Sequence, residues 1–213
     1  MEEFSSPLLL GFVASLALVA MLTLTSFVKL SIVFMIVRQA LGLQQVPSNI
    51  ILLALALFLS IFISMPVFNA AVIGISESGV TLDGPADLIR MYRAGIAPFQ
   101  AFLTQNIDPE HSEFLVQVSA EVWRGSGMVG SPDDLVIQIP AFMVSEMTEA
   151  FRIAFLLYLP FIAVDLAVTG ILMALGMQMV QPNIIAVPFK LLVFLAVDGW
   201  GRMVEGLVMG YAV

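Results

Sequence analysis

Three charged residues lie inside the most apolar segments of this 213-residue chain: Lys29, Asp165 and Lys190. A charge within hydrocarbon is costly unless it meets a partner or water, so such residues mark buried ion pairs, proton relays or ion pathways. Asp165 and Lys190 stand 11 and 8 residues from the Gly176–Pro182 turn between them. In two antiparallel helices those offsets give comparable depths. We therefore predict that Asp165 and Lys190 pair, either within one chain or with a neighbouring copy.

Two other interpretations of these residues stay open. Lys190 could extend to the membrane surface while Asp165 is protonated, or the two residues could relay protons. Lys29 must likewise face a partner or the interior of an assembly. Glu149 and Arg152, three residues apart, have the spacing of an ordinary helical ion pair.

The sequence contains few of the residues that catalytic sites, metal sites or nucleic-acid binding require. The chain has no cysteine, which excludes disulfides, thiolate metal sites and thiol nucleophiles. Its one histidine, His111, lies in a polar segment and is most simply a solvated residue at a helix start. No common catalytic or nucleotide-binding motif occurs. A net charge of −8 leaves no clustered basic residues for nucleic acid. We predict no enzyme activity, no cofactor and no metal.

The composition indicates an all-α membrane protein that positions these charges. Hydrophobic residues make up 60% of the chain and charged residues only 11%, against about 25% charged in soluble domains. A membrane-spanning helix needs about 20 mainly apolar residues. We predict two apolar helical hairpins, built from helices at Phe12–Met35, Ile50–Val67, Ile153–Leu175 and Ile184–Val197.

The hairpins, residues 1–75 and 140–213, flank a small acidic insert at residues 76–139. The insert holds nine acidic residues and three arginines, and short helices are predicted at Ala86–Leu103 and Phe114–Val122. Basic residues favour the cytoplasmic side, so Arg38 and Lys190 place both turns inside, with the insert and both termini periplasmic. The acidic N-terminus argues against a cleaved signal peptide.

Thirteen methionines are many for a chain of this length, and Met173, Met177 and Met179 cluster near the last turn. Methionine usually fills irregular apolar packing. At a pore constriction, however, its flexible side chain could seal the opening and still yield to a passing chain. Around Gln178, an extended loop would point Met177 and Met179 to the same side.

Several motifs resemble the FliP/SctR family, and together they cover about two-thirds of the chain. The first signature resembles TSFVKLSIV from Thr25, RQALG from Arg38 and QQVP from Gln44. The second resembles IPAFMVSE from Ile139, AFRI from Ala150, YLPF from Tyr158, LMALGM from Leu172, PFKLL from Pro188 and VDGW from Val197.

The resemblance implies a core subunit of the type III secretion export gate in the bacterial inner membrane. It implies five copies in a helical cone raised toward the periplasm, around a conduit for unfolded substrates. The implied partners are FliQ/SctS-type, FliR/SctT-type, FlhB/SctU-type and FlhA/SctV-type proteins. An inter-subunit ion pair maps onto Asp165 and Lys190, a polar partner contact onto Glu146, and a methionine gasket onto Met177, Gln178 and Met179. The family often has three consecutive methionines at that gasket.

The version of the motifs resembles the injectisome branch more than the flagellar branch, which usually has Pro and Arg near the first signature. Two other classes remain as alternatives. A small ion-coupled channel or transporter would use Asp165 and Lys190, but no inverted repeat relates the two hairpins. A purely structural membrane anchor would not require ionisable residues at those two positions.

Overall fold

The computed structural model describes residues 15, 19–79 and 84–211, and these residues form helices joined by short connections. Apart from a short helical stretch at residues 19–23, the helices are α1 (Phe27–Ala40), α2 (Asn49–Glu77), α3 (Pro85–Asn106), α4 (Pro109–Val122), α5 (Leu135–Ala174), α6 (Pro182–Ala196) and α7 (Gly199–Met209).

Two of these helices, α2 and α5, are long and apolar enough to cross a membrane. Helices α6 and α7 would count as a third span if taken together, but their axes differ by 59°. Helix α2 has 29 residues and α5 has 40, so each exceeds the roughly 20 residues that a hydrocarbon core requires. The all-helical class predicted from composition is confirmed for the described residues.

The prediction of a single helix over Phe12–Met35 is wrong within the described residues; residues 12–14 and 16–18 lie outside them. Helical structure stops at Thr23, and α1 begins only at Phe27. The break coincides with two threonines, Thr23 and Thr25, whose hydroxyl groups bond to the backbone. Thr25 donates to the carbonyl of Met21, which offers the chain an alternative to helical hydrogen bonding.

The remaining helices follow the predicted order with different limits. The two short helices of the middle segment are confirmed as α3 and α4. The third apolar helix begins at Leu135 instead of Ile153, because the segment before the apolar stretch is also helical. The fourth prediction corresponds to α6, which ends at Ala196.

The described residues fall into two compact units. The first unit contains residues up to Val28 and Ser60–Met147. In it, α3 packs on the end of α2 through Phe68 and Phe99, whose ring centroids are 5.3 Å apart. Gln138 of α5 donates to the hydroxyl of Thr104 at 3.1 Å. The first unit is therefore held by both aromatic and polar contacts.

The second unit contains Lys29–Leu59 and the residues from Thr148 onward, and it holds most of the buried charges. An aromatic cluster connects four of its helices. The ring centroid of Trp200 in α7 lies 6.5 Å from that of Phe34 in α1 and 5.4 Å from that of Phe194 in α6. Phe194 in turn lies 6.1 Å from Phe161 of α5. These contacts hold α1, α5, α6 and α7 around the charged side chains described next.

Candidate functional site

Lys190 and Asp165 form an ion pair within one chain. The Nζ atom of Lys190 lies 2.6 Å from Oδ2 of Asp165. Lys190 is 4% exposed, whereas the side chain of Asp165 retains 36% of its surface. Sequence spacing left open whether these residues pair within or between chains, and the single chain already brings them together. The inter-subunit pairing that the resemblance implies stays a prediction.

Lys190 has a second partner that sequence reasoning did not find. Its Nζ atom also donates to the backbone carbonyl of Ala40 at 2.9 Å. Ala40 is the last residue of α1, and the final carbonyls of a helix have no partner inside the helix. They also carry the negative end of the helix dipole, which favours a cation. Lys190 therefore joins α5, α6 and the end of α1.

Tight packing of the turn after α1 brings the Ala40 carbonyl within reach of Lys190. Gly42 has a φ of +77°, and a Cβ atom there would lie 2.6 Å from Cγ2 of Val187 in α6. Arg38 donates to the carbonyl of Pro47 at 3.1 Å and so closes the turn. The QQVP motif therefore belongs to a turn that is packed against the helix carrying Lys190.

Only one of the two carboxylate oxygens of Asp165 contacts Lys190. While Oδ2 binds Lys190, Oδ1 is buried and accepts no hydrogen bond from the described residues. A buried acceptor without a donor is unfavourable unless water or another group completes it. Asp165 is therefore the less satisfied member of the pair.

Lys29 has a partner within the chain, and whether it also faces the interior of an assembly stays a prediction. It is 3% exposed, and its Nζ atom lies 2.5 Å from Oε2 of Glu149. The ammonium group also lies over the ring of Tyr211, 4.1 Å from the ring centroid. Glu149 thus pairs with Lys29, a contact that the helical spacing of Glu149 and Arg152 did not suggest.

Glu146, the expected partner contact, belongs to the first unit and is fully buried. A contact between Glu146 and another subunit stays a prediction, and it requires this side chain to be uncovered. The structure therefore places Glu146 apart from the exposed positions at which partners are normally met.

The turn after α5 is compact, so the extended geometry that would point Met177 and Met179 to the same side is not present. Gly176 has a φ of +72°. Its N–H donates to the carbonyl of Met173, and the N–H of Met177 donates to that of Leu172. This pattern is a glycine-terminated helix end known as a Schellman motif. The turn continues with a hydrogen bond from Val180 N–H to the Met177 carbonyl, at 3.4 Å.

The two methionines of this turn consequently differ in environment. Met177 is 44% exposed and lines an apolar cavity of about 450 Å³ with residues of α5 and α6. Met179 is 98% exposed, and Gln178 between them is also exposed. Of the two methionines at the gasket positions, Met177 therefore packs against α5 and α6, whereas Met179 is almost fully exposed.

His111 is not simply a solvated residue, and this corrects the prediction. Asp108 caps α4 by accepting from Glu110 N–H at 3.0 Å. His111 is half-buried, and its Nδ1 lies 2.9 Å from the hydroxyl of Ser145. The hydroxyl of Ser145 also lies 2.8 Å from the carbonyl of Ala141, so it connects the start of α4 to the backbone of α5.

No group of three histidine, cysteine or acidic side chains is placed to hold a metal ion within residues 15, 19–79 and 84–211. The features that the sequence and structure emphasise are thus two buried lysines, each with a carboxylate, and an exposed methionine turn. All of them belong to the second unit.

Comparison with known proteins gives matches along nearly the whole chain. A model described as the FliP family matches residues 9–207. The probable translocation protein y4yL of Sinorhizobium fredii is 44% identical over 206 residues, which cover 95% of this chain and 93% of that protein. Yop proteins translocation protein R of Yersinia pestis is 40% identical over 212 residues, 99% of this chain and 97% of that protein. Surface presentation of antigens protein SpaP of Shigella flexneri is 38% identical over 187 residues, 88% and 87% of the two chains. This chain belongs to the FliP family.

Proposed function

We propose that this chain is a core subunit of a type III secretion export gate and helps to form the conduit through which unfolded proteins cross the bacterial inner membrane. The match to the FliP family along nearly the whole chain carries the proposal. Relatives named for the translocation of Yop proteins and for the surface presentation of antigens support the injectisome branch over the flagellar branch.

The same reasoning gives the location. Helices α2 and α5 have the length and composition of membrane spans. We place the chain in the inner membrane, assembled toward the periplasm, with residues 76–139 and both termini on the periplasmic side. Arg38 lies beside the first turn and Lys190 beside the last, and basic residues are more frequent on the cytoplasmic side, which supports this orientation.

The chain acts as one copy of a homo-oligomer, with five copies as the expected number. Large apolar side chains remain exposed along single helix faces, as with Phe58, Phe62 and Met65 on α2, which are 69%, 67% and 61% exposed. Continuous exposed apolar surface of this kind is covered by lipid or by another protein. FliQ/SctS-type, FliR/SctT-type, FlhB/SctU-type and FlhA/SctV-type proteins are the proposed partners, with unfolded secreted proteins as the substrates.

The turn at Met177, Gln178 and Met179 is the proposed seal of the conduit. The nearly complete exposure of Met179 supports this role, because a side chain without internal contacts is available to meet its copies around an axis. Met177 would hold the turn in place through its contacts with α5 and α6. Thioether side chains are flexible and apolar, and they can close a ring without a rigid fit.

The seal is tested by ion conductance or small-solute uptake in cells that make the assembled complex. Met179→Ala should increase the leak while complex levels stay normal. Met209→Ala is the matched control, since Met209 is also exposed, at 63%, but lies at the end of α7. An equal leak in the two variants, or none in either, contradicts the gasket role.

The proposed function itself is tested by co-expressing this chain with its FliQ/SctS-type and FliR/SctT-type partners. We expect a complex that survives mild detergent, with five copies of this chain by native mass spectrometry. A strain lacking this chain should lose secretion and regain it with the wild-type sequence. A monodisperse monomer in the presence of the partners, or normal secretion in the deletion strain, contradicts the proposal.

A further inference from the structure

The outer side of α3 carries two arginines beside an apolar side chain. Ile89, Arg90 and Arg93 are all exposed, Ile89 to 53%. Arg93 lies four residues after Ile89 and three after Arg90, so the three side chains share one side of the helix. The opposite side holds α3 in the first unit through Phe99, which packs on Phe68, and through the fully buried Leu103. We call Ile89, Arg90 and Arg93 the basic stripe.

The outer side of α4 has the opposite charge in a similar arrangement. Glu110, Glu113 and Phe114 are all exposed, Phe114 to 59%. Glu110 lies four residues before Phe114 and three before Glu113, so these side chains also share one side of their helix. Another side of α4 packs on the first unit through His111, whose Nδ1 lies 2.9 Å from the hydroxyl of Ser145. We call Glu110, Glu113 and Phe114 the acidic stripe.

The two stripes match residue by residue when their helices run antiparallel. In an antiparallel pair, each step forward along α3 corresponds to one step backward along α4, with the same rise per residue. One register then pairs Ile89 with Phe114, Arg90 with Glu113, and Arg93 with Glu110. This register combines an apolar contact with two pairs of opposite charge, as in an interface with an apolar centre and a polar rim. A parallel arrangement can match the charges, but it leaves Phe114 opposite Ala94.

Within one chain the two stripes lie far apart. Arg93 lies 13 residues before the end of α3, which is about 20 Å along the helix axis. Glu110 lies in the first turn of α4, directly after the connection between the two helices. The four charged side chains of the stripes form no ion pair with any residue that the structure describes. The matching register therefore requires a second chain.

We propose that the basic stripe of one copy of this chain docks on the acidic stripe of the next copy. The inference rests on the proposed homo-oligomer and names the surfaces that join its copies. Each copy uses one stripe toward one neighbour and the other stripe toward the other neighbour. Head-to-tail contacts of this kind form a ring when the rotation closes. The charges also fix the register, because two basic or two acidic stripes would repel each other.

Disulfide crosslinking tests this contact in the full chain, co-expressed with its FliQ/SctS-type and FliR/SctT-type partners. The chain has no cysteine of its own, so Ile89→Cys with Phe114→Cys places one thiol in each stripe. Oxidation of the purified complex should link successive copies and give a ladder of dimers, trimers and larger products on a denaturing gel.

Ala97→Cys with Phe114→Cys is the matched control. Ala97 is exposed on the same side of α3, but it lies eight residues from Ile89 and is therefore about 12 Å out of register. A disulfide requires Cα atoms within about 7 Å of each other. We therefore expect no ladder from the control.

Charge reversal tests whether the stripes recognise each other. In the crosslinkable variant, Arg90→Glu with Arg93→Glu should lower the crosslink yield about tenfold, because two attractive pairs become repulsive. Adding Glu110→Arg with Glu113→Arg should restore most of the yield, which a general loss of structure would not allow. The same reversals without the cysteines should lower and then restore the fraction of assembled complex.

The outcomes for the contact and for the proposed function are distinguishable, because native mass spectrometry counts the copies independently of crosslinking. The contact is overturned if a complex of several copies gives no ladder, gives only products within one chain, or stops at dimers. It is also overturned if the Ala97→Cys control links as well, or if the double reversal restores nothing. In these cases the proposed function stands. A complex with a single copy of this chain overturns both.

Discussion

Lys29 and Lys190 are almost equally buried, yet the chain stabilises them in different ways. They are 3% and 4% exposed. Lys190 meets a carboxylate and the carbonyl at the end of α1. Lys29 meets a carboxylate and the face of an aromatic ring. The carboxylates also differ, since the side chain of Asp165 is 36% exposed and that of Glu149 is 54% exposed.

The difference shows that burial of a charge alone does not say how much its partner matters. An exposed carboxylate is screened by water and contributes little, whereas a more enclosed one interacts strongly. Removing the partner of a buried charge is harmful mainly because it leaves that charge uncompensated. We therefore expect the site of Lys190 to depend on its carboxylate more strongly than the site of Lys29 does.

The largest effect should come from Asp165→Ala. This change leaves the buried ammonium group of Lys190 with the Ala40 carbonyl as its remaining described partner, and we expect a loss of about 3–5 kcal/mol in stability. Chemical unfolding in detergent, the yield of assembled complex and secretion should all decline. Adding Lys190→Met should recover part of the loss, because the uncompensated charge is then gone. Wild-type stability in Asp165→Ala removes the pair from this account.

Lys190→Met should have a smaller effect than Asp165→Ala. The buried charge disappears, and the partly exposed Asp165 can be hydrated, but the Ala40 carbonyl loses its donor. An unsatisfied buried acceptor costs about 1–3 kcal/mol. Hydrogen exchange should also become faster in the turn that follows α1, at Leu41–Leu43. Unchanged exchange there contradicts the role of Lys190 at the end of α1.

At Lys29, Tyr211→Leu should lower stability more than Glu149→Gln does. A cation over an aromatic face contributes about 0.5–2 kcal/mol, depending on how far it is shielded from water. Tyr211→Phe keeps the ring and serves as the control. Thermal unfolding of the two variants in the same detergent measures the difference. Equal melting temperatures for the two variants show that the ring face contributes nothing measurable.

The smallest effect should come from Glu149→Gln. Water can hydrate the half-exposed carboxylate, and the ring of Tyr211 still faces the ammonium group of Lys29, so we expect a smaller loss of stability than for Asp165→Ala and one that weakens with salt. Unfolding at low and high ionic strength should show a difference from wild type that shrinks as salt is added. A loss as large as that of Asp165→Ala would remove the contrast between the two lysines.

Much of the helical plan could be predicted because apolar length and turn residues are local signals. The depth argument brought Asp165 and Lys190 together because both flank the same turn. The start of α5 could not be predicted in the same way, because the helical segment before the apolar stretch has an unremarkable composition. The break before α1 was missed because hydropathy does not register side-chain hydrogen bonds such as that of Thr25.

The contacts that escaped prediction are those between distant segments or with the backbone. Glu149 is 120 positions from Lys29 in sequence, and no local pattern connects them. Lys190 also binds the backbone carbonyl of Ala40. Because every residue has a backbone carbonyl, the amino-acid sequence does not indicate which one Lys190 contacts. The turn at Gly176 did carry a signal, since glycine after an apolar helix is typical of a Schellman end.

The most direct test asks whether Asp165 and Lys190 pair within one chain in the assembled protein. The chain contains no cysteine, so Asp165→Cys and Lys190→Cys introduce unique thiols for a short bismaleimide crosslinker. Both substitutions in one chain should give a crosslinked product that runs as a monomer on a denaturing gel. Two differently tagged chains, each with one substitution, should give no crosslinked dimer within complexes that are purified through both tags, so that impaired assembly does not account for the result. A strong dimer from the singly substituted chains, with no product inside the doubly substituted chain, would contradict the intrachain pair.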